Sequence, residues 1–132
     1  MATLKHFGLP IAFAASFLAI GVPYWPVPYG QVALPDTLVT PALLVPVLAA
    51  SALGFCALAS ARVIIFVVGA VLPAAVLARV IVETSADPTS HNLWPLEIMI
   101  ALLMGLVAAL AGALAGRLAG KAFARRAGGI EP

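Results

Sequence analysis

Side chains able to do chemistry are scarce in this sequence, and most fall in two stretches. Gln31, Asp36 and Thr37 form the first, and Glu83, Thr84, Asp87, Ser90, His91, Asn92 and Glu97 form the second. If the stretches meet, Asp36, Glu83, Asp87, His91 and Glu97, with Arg79 just below them, line an anionic vestibule. Such a site suits a cation, an amine or a polar solute, because carboxylates gathered in a cleft concentrate positive charge. The same acids also fit plain solvated loops, which are polar by default.

Arg79 is the most informative charge. It interrupts an apolar run and therefore needs a carboxylate partner or a route to water. Glu83 stands at i+4, in the weaker Arg-before-Glu order. Glu97 follows Pro95, where a carboxylate complements the positive end of a helix. The sequence therefore predicts an Arg79–Glu97 pair that staples two helices. His91 lies between acids and invites a metal reading. No His-x-x-x-His, Cys-x-x-Cys or Glu-x-x-His spacing accompanies it, so neither a metal nor another cofactor is expected. His6 is remote from it. Cys56 is the single cysteine; it excludes an intrachain disulfide and reads as a small buried hydrophobe. A phosphate-cradling glycine loop, a nucleophile elbow and a serine–histidine spacing are all missing, and no catalysis is expected.

These residues ride on a chain built for lipid. Of 132 residues, 64% are hydrophobic and only 9% charged, and the mean hydropathy is +1.14. Soluble domains carry about 25% charged residues, so this chain cannot clothe itself in polar surface. Its charges divide it into apolar segments near the ~20 residues that a helix needs to cross ~30 Å of hydrocarbon. The expected fold is an all-α, polytopic bundle of four transmembrane helices, forming one membrane domain over residues 1–132. The spans are placed at about 7–22, 40–59, 62–83 and 95–117, with outer loops at 23–39 and 84–94 and a cytoplasmic tail at 118–132. Thr40 and Pro41 form a plausible helix start. The run from 41 to 82 would measure about 63 Å as one helix, so the chain must turn back near Ser60.

Of the seven Lys and Arg residues, all but Arg79 then fall on one side: Lys5, Arg62, Arg117, Lys121, Arg125 and Arg126. Basic residues mark the cytoplasmic face, so both termini are expected inside, in a plasma membrane of the bacterial inner-membrane kind. Tyr24, Trp25, Tyr29 and Trp94 fall at the outer interface. Lys5 and the apolar run to Val22 also resemble a secretory signal. The residues that follow are Pro23, Tyr24, Trp25 and Pro26 instead of a small-x-small cleavage site, so an uncleaved first span is expected.

The series Pro23, Pro26, Pro28 and Pro35 forbids regular helix and reads as an interfacial anchor or a lid. Pro46 and Pro73, with Gly54 and Gly69, read as kinks. Ala108, Gly112, Gly116 and Gly120 form a small-residue stripe that allows close helix packing, within the chain or between copies. In length and span count the chain is similar to small multidrug exporters and fluoride channels. The exporters' glutamate in the first span is missing, as is the channels' glycine-rich, arginine-bearing opening, so no family is assigned. The middles of the spans hold Ser16, Ser51, Gly69 and Met104, all uncharged. Transporters commonly keep a charge there, which favours an accessory or structural subunit packed against a larger membrane complex. The alternative is a small-solute or ion transporter or channel subunit working as an oligomer. The expected partners are the bilayer and a homo-oligomer or larger membrane protein; scattered basic residues do not suggest nucleic acid.

Overall fold

The computed structural model describes residues 2–129. Five α-helices follow one another: α1 (Ala2–Tyr24), α2 (Leu44–Phe55), α3 (Ala61–Gly69), α4 (Val71–Ala86) and α5 (Trp94–Gly128). Single 3-10 turns at Tyr29–Gln31, Asp36–Leu38 and Pro41–Leu43 interrupt the α1–α2 connection, and no strand occurs among the described residues. Three stretches are long and apolar enough to cross a membrane: α1, the α3–α4 rod from Ala61 to Ala86, and α5. The protein is thus an all-helical chain with three candidate membrane-spanning helices.

The expected second span, 40–59, is shorter than its apolar run. Its helical part is Pro41–Phe55, about 24 Å long at ~2.0 Å per residue in the 3-10 turn and ~1.5 Å in α2. That falls short of ~30 Å of hydrocarbon. The helix stops because Ala57 takes a left-handed conformation (φ 50°). The Ala57 N–H then bonds to the Gly54 carbonyl at 3.2 Å and the Leu58 N–H to the Leu53 carbonyl at 3.1 Å. This is the paired-bond closure that normally uses glycine. Leu58 and Leu53 both lie 3.3 Å from where a Gly8 Cβ would stand, sealing the turn with the apolar contact such closures favour. Ser60 then caps α3, its Oγ accepting from the Val63 N–H at 3.4 Å.

The α3–α4 rod breaks at Ala70 for a different reason. Pro73 has no N–H and its ring displaces the carbonyl four residues back, which belongs to Gly69. On the neighbouring helix a Cβ at Gly105 would sit 2.1 Å from that oxygen. Only glycine at 105 lets α5 pass so close, and the sequence pattern of the stripe had not included it.

Two apolar clusters fill the interior. One joins Ile20, Tyr24, Leu38, Val71, Leu72, Val76, Val80 and Ala101; the other joins Ala12, Ala50, Leu53, Ile64, Val68, Ala109 and Ala113. The chain from Leu38 to Leu53 therefore runs from one end of the bundle to the other, as do α1, the α3–α4 rod and α5. The start of α1 and the last part of α5 both lie beside the end of α2, through Gly8 against Leu53 and Gly120 against the Phe55 carbonyl.

Candidate functional site

At the end of the bundle opposite those termini, α4 presents Arg79 and Glu83, the α4–α5 connection presents His91, and the first turn of α5 presents Glu97. The four side chains form a line. Arg79 Nε lies 2.8 Å from Glu83 Oε1, an ion-pair distance at which the N–H itself points away from the oxygen. Glu83 Oε2 contacts His91 Nε2, and His91 Nδ1 lies 2.8 Å from Glu97 Oε2. The predicted Arg79–Glu97 pair does not form. Arg79 takes the i+4 partner on its own helix, and the link to α5 runs through His91.

Arg79 is 4% exposed, and its charge is met from a second side. One guanidinium nitrogen donates to the Tyr24 carbonyl at 2.9 Å and the other to the Val27 carbonyl. The guanidinium also stands 5.0 Å over the Tyr24 ring. Tyr24 ends α1, so a cation occupies the negative end of that helix and gives a charged donor to the Tyr24 carbonyl, which otherwise accepts only from the Val27 N–H at 3.3 Å. Glu97 is the mirror case, a carboxylate in the first turn of α5.

His91 is 1% exposed and has a left-handed backbone (φ 53°), a region uncommon for L-residues in which Asn, Asp and His are the most frequent side chains after glycine. Its N–H donates to the Tyr29 hydroxyl at 3.0 Å, and the two rings meet edge to face with centroids 4.7 Å apart. Trp25 anchors the α1–α2 connection, which also carries Tyr29, by donating from Nε1 to the Ala75 carbonyl at 3.0 Å.

Of the expected vestibule residues, Arg79, Glu83, His91 and Glu97 come together and Asp36 and Asp87 stay apart. Asp36 is exposed in its 3-10 turn. Asp87 folds its own loop: Oδ1 accepts from the Thr89 N–H at 3.0 Å and the Thr89 hydroxyl at 2.7 Å. Those bonds hold the Asp87 carboxyl below its ordinary value of 3.8. The carboxylates of Glu83 and Glu97 face His91 and Arg79 instead of an open acidic mouth. Two clefts flank the line. One of about 310 Å³ is walled by Trp25, Ala78, Arg79, Val82 and Glu83, and one of about 470 Å³ by Leu77, Ile81, Thr84, His91 and Trp94 among others.

Reading by residue type took Tyr24, Trp25 and Tyr29 for interface aromatics and missed their bonds to Arg79, Ala75 and His91. The available signal was the demand of Arg79 for acceptors beside a helix end made by prolines. At the opposite end, Arg117 donates to the Ala59 carbonyl at 2.9 Å and ties α5 to the α2–α3 turn.

Three residues of the small-residue stripe lie against α2. A Cβ at Gly112 would be 2.3 Å from the Val47 carbonyl oxygen, at Gly116 2.0 Å from that of Ser51, and at Gly120 2.9 Å from that of Phe55. Ala108 is buried and borders a groove with Val47 and Leu103. Compared with family models, curated proteins and solved structures, the chain matches none.

Proposed function

We propose that this chain is a small integral membrane protein that crosses the bilayer four times, both termini in the cytoplasm of a bacterial inner membrane, and serves as an accessory or structural subunit of a larger membrane complex. The fourth crossing is the stretch from Leu38 to Phe55, which reaches from one cluster to the other although its helical part is short. The inside position of the termini rests on Lys5, Arg62, Arg117, Lys121, Arg125 and Arg126 at one end against Arg79 at the other.

One observation carries the subunit reading: the interior between the two ends is close-packed and apolar. Ile64, Val68, Val71, Leu72, Ala75 and Val76 are fully buried there, and Ser16 is the one buried polar residue in that part among the described residues. Arg79, Glu83 and Glu97 at the outer end find partners within the chain. A solute would meet no charged station along the middle, whereas transport pathways commonly provide one. Outside, Leu103, Val107, Leu114 and Leu118 of α5 are exposed, an apolar flank for lipid or a larger neighbour.

The buried Arg79 beside the Trp25 cleft supports the second reading, a transporter or channel subunit acting as an oligomer. Native electrophoresis of solubilised membranes separates the two, combined with flux assays on the purified chain in liposomes. The subunit reading expects co-migration with a second polypeptide at fixed stoichiometry and no flux of cations or amines. Flux through the purified chain alone would overturn it.

A further inference from the structure

The line of side chains at the outer end sets a proton count. The His91 side chain is 0% exposed, with Nδ1 2.8 Å from one Glu97 oxygen and Nε2 against one Glu83 oxygen. Each of these nitrogen–oxygen contacts needs a hydrogen, and a neutral imidazole supplies only one. The second is present either as an imidazolium between two carboxylates or as a carboxylic acid donating to the bare nitrogen. Both arrangements hold the same number of protons. With the guanidinium of Arg79, the set is then electrically neutral. Without that proton the set carries a net negative charge on carboxylates that are 28% and 21% exposed, and a lone pair of the fully buried ring faces a carboxylate lone pair, a contact that the buried nitrogen cannot keep unchanged.

The surrounding groups do not supply the missing hydrogen. Tyr24 of α1 faces Arg79, and the Tyr29 hydroxyl accepts from the His91 backbone N–H while the two ring nitrogens are met only by Glu97 and Glu83. Asp87, on the same connection, faces Thr89. Among the described residues no other charged side chain contacts the imidazole.

We propose that this end of the bundle is a proton-binding site in which Glu83, His91 and Glu97 hold one proton between them, and that this proton keeps the α4–α5 connection closed against Glu83 of α4 and Glu97 of α5. The backbone supports a closing role. His91 sits in the left-handed region, and it is held there by its ring contacts with the two carboxylates, by its N–H bond to Tyr29 and by the Trp94 N–H bond to its carbonyl at 3.0 Å. Removing the proton sets a ring contact against the fold, and the connection relaxes. The site stands apart from the subunit reading, since it needs neither a partner nor a transported solute.

The test uses the full chain in lipid nanodiscs, with labelled histidine and glutamate followed by NMR and backbone amide exchange. The chain has two histidines, so a His6→Gln spectrum assigns His91. At neutral pH, the ring and the two carboxyls should together account for one proton more than a neutral ring between two carboxylates. As pH rises and that proton leaves, residues 87–93 should lose exchange protection together. Glu97→Gln places a carboxamide N–H where the bare nitrogen needs a donor. It should hold one proton fewer and stay protected at the alkaline pH where the wild type opens. A folded wild type with a neutral ring between two ionised carboxylates overturns the proposal. So does loss of protection at the same pH in the wild type and Glu97→Gln. The wild-type proton count decides even where the variant fails to fold.

Discussion

Adding a single methyl along the α2–α5 seam measures how tightly that seam is closed. Ordinary contact for a Cβ begins at 3.4 Å, whereas a Cβ at Gly116 would stand 2.0 Å from the Ser51 carbonyl oxygen. The deficit is 3.4 − 2.0 = 1.4 Å, and the obstructing atoms are backbone. At Gly112 it is 3.4 − 2.3 = 1.1 Å against Val47, and at Gly120 it is 3.4 − 2.9 = 0.5 Å against Phe55. A rigid obstruction cannot swing aside, so Gly116→Ala must push the two helices apart or bend one. Overpacking of this kind costs about 1–3 kcal/mol, and a gap of 0.5–1 Å opened alongside forfeits about a quarter to a half of each dispersion contact. Alanine returns about 1 kcal/mol of helix propensity. The net expectation is about 2 kcal/mol of destabilisation at Gly116, somewhat less at Gly112, and close to zero at Gly120. Gly30→Ala and Gly128→Ala are controls, because nothing lies within 4 Å of either added methyl. Denaturation in mixed micelles, followed by far-ultraviolet circular dichroism, ranks the series. Equal stability of Gly116→Ala and wild type, or a larger loss at Gly120 than at Gly116, would refute the close-approach argument.

Other substitutions probe the remaining joints. Arg79→Met should cost towards the lower end of the ~3–5 kcal/mol expected when a buried ion pair loses one member, because Glu83 keeps its contact with His91. Arg79→Lys should fall between Arg79→Met and wild type in the same unfolding assay, since a single ammonium cannot reproduce the fork onto the Tyr24 and Val27 carbonyls. Ala57→Gly should stabilise the chain by about 1 kcal/mol, the Cβ penalty of the left-handed conformation, and a lower midpoint than wild type would contradict the turn geometry. For Asp87, the folded-state pKa is depressed by Thr89. Its stabilisation of the loop is therefore complete above the ordinary carboxylate value of 3.8 and lost as pH falls through the depressed one. Thr89→Val should move the Asp87 carboxyl titration upward in an NMR pH series, and an unchanged midpoint would remove Thr89 as the cause.

Much of the helical character was legible because composition and span length are coarse, additive properties. Apolar runs of the right length leave few alternatives in lipid. The end of α2 was not legible, since Ala57 occupies the position that glycine normally marks and carries no local signal of a turn. Gly105 escaped notice for a related reason. Its importance comes from Pro73 on another helix, which redirects the Gly69 carbonyl towards α5. At the polar end, the acids and His91 could be picked out by type, but their partners could not. Arg79 was expected to choose between two carboxylates, yet it also donates to two backbone carbonyls, and any residue type can supply a carbonyl.

Two local anomalies account for each other at that end. Pro26 and Pro28, just beyond α1, have no N–H to give the carbonyls four residues back, and the Tyr24 carbonyl keeps only a 3.3 Å bond from the Val27 N–H. Arg79, in the apolar part of α4 and only 4% exposed, carries donors that solvent hardly reaches. Alone, either feature would be costly in a membrane setting. Placed together they form one joint, the guanidinium closing α1 while α1 disperses the charge. Glu83 then balances the net charge, and His91 carries the balance on to Glu97 and α5. The joint consequently links α1, α4 and α5 at a single buried cation. Loss of Arg79 should therefore loosen the α1–α2 connection and the α4–α5 connection together. Amide exchange on Arg79→Met would reveal this as simultaneous deprotection of residues 25–31 and 87–93; deprotection of one segment alone would mean that the two connections are held independently.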